Sequence, residues 1–291
     1  MTKSTLMHLR IPFSYFLMPV FLLGASFAGN IDWMRFWAAF IIVHLFLYPA
    51  ANAFNSYYDR DIGSISCLKR PPPVDEELLT ISLILDCVAV LAGLFLSWQF
   101  AVALLVYGIC SKLYSHEKIR LKRRPILSWV GISIIQGGYV FLMAYFVVQN
   151  GSHFDALNEY VILAAGLVTL LMLGYYPITQ VFQHADDAAR GDKTISMMLG
   201  VRGTFLLAAA ILFFSAGGFC WFFLVFFKSL YVLLFLLMQV LAALYFLVWS
   251  VRALKNANIA DYGHVMMFNI VSASGMTLFS MIFHILERVG M

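Results

Sequence analysis

Charged residues are scarce in this chain. Asp, Glu, Lys and Arg make up 12% of its 291 residues, whereas hydrophobic residues make up 62%. A soluble domain is about half apolar and about one quarter charged. The apolar excess comes as repeated long runs rather than as one larger core. The composition therefore excludes a soluble globular protein and indicates an integral, multi-pass membrane protein that lies in a lipid bilayer.

Paired cysteines and hydrophilic domains are also lacking. The four cysteines show no C-x-x-C spacing and mostly lie in apolar runs, which favours buried free thiols. The longest hydrophilic stretch covers only residues 55–77, so residues 1–291 are predicted to form a single transmembrane domain. Basic loops beside apolar runs are expected from membrane topology alone, so no nucleic acid is expected as a partner.

Nine apolar runs approach or exceed the length of about 18 residues that spans a bilayer as a helix. These runs are long, and apolar and polar residues do not alternate along them, so helices are favoured over a β-barrel. The fourth run is short and is separated from the third only by Ser97-Trp98-Gln99, so an eight-span count is also open. The predicted spans are 13–29, 33–51, 78–98, 100–113, 126–148, 160–178, 204–227, 230–251 and 265–286.

Lys and Arg are distributed unevenly between the two sides of these predicted helices. With nine spans, only Arg35, Lys228 and Arg288 of the 19 Lys and Arg residues fall on the side opposite the N-terminus. Loops rich in Lys and Arg stay in the cytoplasm. The distribution supports nine spans over eight and predicts a cytoplasmic N-terminus. For a bacterial source the membrane would be the inner membrane, although an organelle membrane satisfies the same physics.

The first polar segment reads Asn55-Ser-Tyr-Tyr-Asp59-Arg60-Asp61 and follows the second apolar run. On a helix, Asn55 and Asp59 are four residues apart and share a face. Carboxylate and amide oxygens suit Mg²⁺, and Arg70, on a proline-rich strip, could bind a phosphate. The alternative is a solvated loop in which Asp59, Arg60 and Asp61 merely pair with one another.

The second polar segment reads Gln183-His-Ala-Asp186-Asp187 and continues to Lys193-Thr194. Gln180, Gln183, His184 and Asp187 have the spacing of one helical stripe, and Gly191 is expected to follow the helix end. His184 is more often a hydrogen-bonded structural histidine than a metal ligand at such a position. Two acidic segments on the same side of the membrane suggest a site for a divalent cation and a polyphosphate.

These segments, in this order, resemble the motifs of the UbiA superfamily of intramembrane prenyltransferases, and the resemblance covers essentially the whole chain. Three motifs carry it. They are Asn55, Asp59 and Arg70-Pro71-Pro72-Pro73 in the first; Asp187, Gly191, Lys193-Thr194 and Leu199-Gly200 in the second; and Leu113-Tyr114-Ser115 with Arg120-Leu121-Lys122 in the loop after the fourth span.

The chain also departs from that pattern at three acidic positions. Ser56 and Gly63 stand where the first motif has Asp, and Gln183 stands at the first Asp of the second motif. Nearby carboxylates are available as substitutes, namely Asp61, Asp186 and Asp192. The number of metal ions that such a site would hold, one or two, is therefore open.

The resemblance implies an all-α fold of nine transmembrane helices around a central cavity open to the cytoplasm. It implies Mg²⁺-dependent transfer of an isoprenyl group from an isoprenyl diphosphate to a lipophilic acceptor, such as an aromatic compound or quinone precursor. The catalytic residues expected are Asp59, Asp187 and Asp61, with Asn55 and Asp186 as further metal ligands. The substrate-binding residues expected are Asn55, Arg70, Tyr114, Arg120, Lys122, Gln183 and Lys193.

Two other functions remain open at this point. Some members of the superfamily cyclise the isoprenyl chain without an acceptor, as terpene cyclases do. A transporter or a non-catalytic scaffold is the other alternative, although the polar residues concentrate at one face rather than at the bilayer midplane. The sequence predicts no particular oligomeric state.

Overall fold

A computed structural model describes residues 1–149 and 158–289 of the chain, which are helical with no β-strand among them. Eight helices in these ranges are long and apolar enough to cross a membrane, and a further helix of 18 residues, Trp98–Ser115, lies between the third and fourth of them. The helices are α1 (Lys3–Ser26), α2 (Trp33–Asp59), α3 (Glu77–Leu94), α4 (Trp98–Ser115), α5 (Pro125–Val147), α6 (Glu159–Ala189), α7 (Ile195–Phe226), α8 (Ser229–Lys255) and α9 (Tyr262–Val289).

Several helices extend beyond the apolar runs from which they were predicted. Helix α2 continues from residue 51 to Asp59, and α6 continues from residue 178 to Ala189, so both polar segments lie on helical ends. At the end of α2, Arg60 adopts a left-handed conformation (φ 46°) and its N–H bonds to the Ser56 carbonyl. Polar residues end an apolar run in the sequence but do not end the helix, so the observed helices are longer than the predicted spans.

The C-terminal ends of α2, α4 and α6 meet. Asn55 Nδ2 of α2 donates to Ser115 Oγ of α4 at 3.1 Å, and the Tyr114 and Tyr176 hydroxyls lie 2.6 Å apart. Helices α3 and α4 therefore carry the chain away from this end of the bundle and back to it. The count of nine membrane spans stays a prediction, since α4 is not one of the eight membrane-length helices.

Sequence-adjacent helices pack against one another, and α1 closes the bundle by packing against both α5 and α9. Two glycines permit the closest approaches. A side chain at Gly24 of α1 would overlap the Phe141 carbonyl of α5, and one at Gly275 of α9 would overlap the Met238 carbonyl of α8. The bundle encloses a cavity of about 700 Å³ lined by α1 and α5 to α9.

Candidate active site

Buried ionic residues converge where α2, α4 and α6 end. Four carboxylates are buried there, and a basic loop between α4 and α5 contributes two buried cations. Arg190 follows α6 and is half-buried. We name this set the ionic cluster; it consists of Asp59, Asp61, Asp187, Asp192, Arg120, Lys122 and Arg190.

Asp192 accepts more ion pairs than any other carboxylate of the cluster, and its side chain is fully buried. Arg120 binds it with both donors of its fork, Nε to Oδ1 at 2.6 Å and Nη2 to Oδ2 at 2.7 Å. Lys122 Nζ lies 3.2 Å from Oδ2. Burial alone would raise the pKa of Asp192, but hydrogen bonding to Arg120 and the charges of Lys122 and Arg120 hold it at about 2.

Asp59, the last residue of α2, is bound by the same basic loop. Arg120 Nη2 donates to Oδ1 at 3.0 Å and Lys122 Nζ donates to Oδ2 at 2.8 Å. Asn55, one turn earlier, donates to Oδ2 at 2.8 Å. Arg120 has a left-handed backbone (φ 41°) and precedes a short 3₁₀ turn, Leu121–Arg123, so both cations are presented to the same carboxylate.

Arg190 connects the other two carboxylates. Its Nη2 donates to Asp187 Oδ1 at 2.6 Å and its Nη1 binds Asp61 Oδ1. Burial raises the pKa of Asp61, the charge of Asp59 raises it further, and Arg190 and Lys122 oppose that rise. For Arg190 itself, burial lowers the pKa but the charges of Asp61, Asp59 and Asp187 outweigh burial and raise it.

The paired-loop alternative for the first segment is wrong. Arg60 points away from Asp59 and Asp61 and binds Glu76 Oε1 at 2.5 Å, while both aspartates are buried against cations from distant loops. His184 Nε2 lies 2.7 Å from Ser196 Oγ, the structural role expected of it.

The structure separates the other predicted site residues into two groups. Asn55 adjoins the cluster through its hydrogen bond to Asp59. The Tyr114 hydroxyl lies 2.6 Å from that of Tyr176, which lines the cavity together with Gln183. Arg70 and Lys193, in contrast, are exposed and make no ion pair or hydrogen bond through their side chains with any residue in 1–149 or 158–289. Asp186 is half-buried against Gly63 and has no cation partner in those ranges.

Arg10 lies beside the ionic cluster and is not among the site residues predicted from the sequence. It is 7% exposed, has a left-handed backbone (φ 45°), and donates to the Asn52 carbonyl at 3.1 Å and to Asn55 Oδ1 at 3.2 Å. Its buried Nε has no partner, and no carboxylate in the described part of the chain pairs with it. A basic residue beside a membrane span is expected from the topology alone. The sequence therefore gave no indication that Arg10 is buried beside the acidic residues. A buried guanidinium without a counter-ion is suited to an anion.

Arg190 was missed for a different reason. It lies three residues after Asp187, a spacing at which helical side chains can pair, whereas the resemblance assigns phosphate binding to Arg70 and Lys193 in the loops. Its pairing with Asp61 crosses between two helical ends and depends on the fold.

The carboxylate and amide oxygens of this site are the ligand types that Mg²⁺ prefers. Within residues 1–149 and 158–289, however, no three Asp, Glu, His or Cys side chains converge as they would around a bound metal. The reason is visible in the contacts, since Arg120, Lys122 and Arg190 stand between the carboxylates and neutralise them. The donor types fit Mg²⁺, but their arrangement is that of an ion-pair network.

An ionic cluster lies beside an apolar cavity, because Gln183, four residues before Asp187, lines that cavity. Together with the bundle of membrane-length helices, this defines a polytopic membrane protein. The profile of the UbiA prenyltransferase family matches residues 16–272 of the chain. The chain belongs to that family and is a membrane prenyltransferase.

Solved structures share the fold. A UbiA homolog from Archaeoglobus fulgidus, bound to DMAPP and Mg²⁺, has a TM-score of 0.70 at 15% identity, covering 98% of this chain and 100% of its own. An apo UbiA homolog from Aeropyrum pernix K1 has a TM-score of 0.69 at 17% identity, covering 96% and 99%. A structure of digeranylgeranylglyceryl phosphate synthase has a TM-score of 0.62 at 17% identity, covering 97% and 98%. No curated protein sequence matches the chain.

Proposed function

We propose that this protein transfers an isoprenyl group from an isoprenyl diphosphate to a lipophilic acceptor, with the ionic cluster facing the cytoplasm. The observation that carries the proposal is the buried Arg10, which pairs with no carboxylate in the described part of the chain. Arg10 contacts Asn55 beside the ionic cluster, and its guanidinium lies 5.8 Å from the ring of Phe13, which lines the apolar cavity. An isoprenyl diphosphate has the matching shape, a polyanionic head and an apolar tail. DMAPP and GPP are the ligands of the homolog from Archaeoglobus fulgidus.

The chain's own cations account for the departure of diphosphate. The allylic C–O bond breaks and its electron pair stays on the diphosphate, whose charge Arg10, Arg120, Lys122 and Arg190 stabilise. An electron pair of the acceptor forms the new bond to the isoprenyl carbon, and the acceptor releases a proton to water or to diphosphate. Tyr176 lines the cavity near the cluster, where its aromatic ring can shield the cationic carbon from water.

Mg²⁺ fits the site by donor type, with Asp59, Asp187, Asp61 and Asn55 as the residues that would hold it. When bound, Mg²⁺ supplies positive charge against the diphosphate oxygens. The four carboxylates of the cluster pair with Arg120, Lys122 and Arg190, whereas Arg10 pairs with none of them. Each of these carboxylates pairs with a cation in the structure, so it would hold Mg²⁺ only once that cation released it.

An activity assay on the purified protein tests the proposal. We expect Mg²⁺-dependent diphosphate release from geranyl or farnesyl diphosphate that requires an acceptor, and its loss in Asp59→Asn and in Asp187→Asn. Glu117→Gln, an exposed acid in the basic loop, serves as the matched control and should retain activity. Release of a hydrocarbon or alcohol without any acceptor would contradict transfer and favour the terpene cyclase.

A further inference from the structure

Helix α1 has a break near its start, and Arg10 forms it. A short helical segment, Lys3–His8, ends before Arg10, whose backbone is left-handed (φ 45°), and helical structure resumes with Ile11–Phe13. A left-handed conformation is unfavourable for a residue other than glycine and persists only where the surrounding structure holds it. The segment before the break, residues 2–9, which we name the strap, therefore decides where the Arg10 guanidinium lies.

Two buried side chains bind the strap to the segment that joins α2 and α3. Thr5 is fully buried and its Oγ1 donates to Glu77 Oε1 at 2.7 Å. His8 is 1% exposed and its Nε2 lies 2.9 Å from the Pro72 carbonyl oxygen. Because a carbonyl oxygen can only accept, His8 donates through Nε2. Both bonds join residues more than 60 positions apart in the chain, so they fix the strap across the fold.

The outer side of the strap binds the same segment. Ser4 Oγ donates to the Pro73 carbonyl at 2.5 Å, and the Thr2 hydroxyl donates to the Asp75 carboxylate. Three consecutive prolines, residues 71–73, have a fixed φ and no N–H, so their carbonyl oxygens are held on a stiff, extended backbone. The proline-rich strip is thus a rigid support for the strap.

The end of the strap is joined to the site. The Leu9 side chain shares a buried apolar cluster with Leu78 at the start of α3, and the Leu9 carbonyl accepts from Asn52 Nδ2 at 3.5 Å. The next residue, Arg10, donates to the Asn52 carbonyl and to Asn55 Oδ1. The strap is therefore held by the proline-rich strip on one side and by α2 at its end, with Arg10 fixed between them.

We propose that the strap is a positioning element for the isoprenyl diphosphate, and that Thr5 and His8 are the positioning residues that hold Arg10 in place. Neither side chain bonds to the ionic cluster within residues 1–149 and 158–289, so both act through Arg10. The proposal rests on the proposed function, because it concerns the head of the donor in the same reaction. A binding group that is misplaced by about 1 Å loses much of its interaction, so its supporting residues govern affinity.

Calorimetric titration of geranyl diphosphate into the full chain in detergent tests the proposal. Thr5→Val and His8→Leu each remove one donor to the supporting segment, and we expect each to weaken binding about threefold to tenfold. His8→Gln retains a donor in place of Nε2 and should restore most of the affinity. Leu6→Ala changes an exposed side chain of the strap and is the control, which should bind as the unaltered protein does.

The same substitutions in an Arg10→Gln background separate positioning from a general loss of structure. If Thr5 and His8 act through Arg10, Thr5→Val or His8→Leu should weaken binding there by no more than about twofold. Equal weakening in both backgrounds would overturn the proposal, as would unchanged affinity in both single variants.

Two further results keep the outcome decisive. Ser4→Ala removes the partly exposed bond to Pro73 and takes the place of either buried variant that does not fold, with the same expectation in both backgrounds. Failure of the unaltered chain to bind geranyl diphosphate would count against the proposed function, whereas a weakening by Arg10→Gln that the strap variants do not share would count against the strap alone.

Discussion

Among single residues, Asp192 forms the most ion pairs in the site. Its fully buried carboxylate pairs with Arg120, Lys122, Arg123 and Arg190. Removing one partner of a buried ion pair leaves uncompensated charge and costs about 3 to 5 kcal/mol. We therefore expect Asp192→Asn to lower the free energy of unfolding by that order, measured by unfolding in detergent. Glu117→Gln should change it by less than about 0.5 kcal/mol, and an equal loss in both variants would contradict this role.

The pKa of Asp192 also predicts an acid transition. The pKa is about 2 in the folded protein and about 3.9 in an unfolded chain. Since the folded value is lower, the stabilisation is complete above about pH 4 and is lost as the pH falls toward about 2. Asp61 contributes to the pH dependence of stability with the opposite sign, because burial raises its pKa and protonation then favours the folded state. Stability measured across this range should fall less steeply in Asp192→Asn than in the unaltered protein.

Arg10 provides a prediction about donor binding. Its guanidinium is buried and has no carboxylate partner, so an anionic ligand gains a charge-assisted hydrogen bond of about 1.5 to 3 kcal/mol. Arg10→Gln should weaken geranyl diphosphate binding by roughly tenfold to a hundredfold in calorimetric titration. Lys3→Gln removes a nearby exposed cation and is the control. Equal affinity in Arg10→Gln and the unaltered protein would exclude Arg10 from the diphosphate site.

At the scale of elements, α3 and α4 are joined by an ion pair between Asp86 and Lys112, whose side chains are 17% and 19% exposed. Lys112 Nζ also lies 4.9 Å from the centroid of the Phe54 ring on α2. We expect a double-mutant cycle of Asp86→Leu and Lys112→Met to give a coupling of about 0.5 to 3 kcal/mol in unfolding measurements. Additive losses would show that the two side chains do not stabilise the helix pair.

The helices themselves could largely be predicted from the sequence, because apolar runs of membrane length have few other folded states available. Their polar ends could not be predicted as well, since hydropathy falls before α2 ends at Asp59 and before α6 ends at Ala189. The acidic residues of the cluster were visible as motifs. Their pairing was not, because the Arg120–Asp192 and Arg190–Asp61 contacts join loops that only the fold brings together.

For the whole molecule, the distribution of Lys and Arg predicts which loops are cytoplasmic. In a cysteine-free background, single cysteines would replace three exposed residues, namely Asn30 before α2, Phe95 between α3 and α4, and Lys118 between α4 and α5. An impermeant maleimide added outside intact spheroplasts should label the first two, and Lys118→Cys only after lysis. Labelling of Lys118→Cys from the same side as Phe95→Cys would show that α4 does not cross the membrane.

The net charge of the site couples the binding of Mg²⁺ to the binding of the isoprenyl diphosphate. The buried and half-buried groups of the site are four carboxylates and four cations, Arg10 included although it pairs with no carboxylate directly. Their formal charges sum to zero, so diphosphate alone or Mg²⁺ alone would add uncompensated charge. Each ligand should therefore bind more tightly when the other is present, and the coupling must be reciprocal.

The most direct test of this account is calorimetric titration of geranyl diphosphate into the purified protein, with and without Mg²⁺, for the unaltered chain and for Asp187→Asn. The account predicts at least about tenfold tighter donor binding with Mg²⁺, a coupling of about 1.4 kcal/mol or more, and the loss of that coupling in Asp187→Asn. Donor binding that is indifferent to Mg²⁺ and to Asp187 would contradict the assignment of the ionic cluster as the diphosphate site.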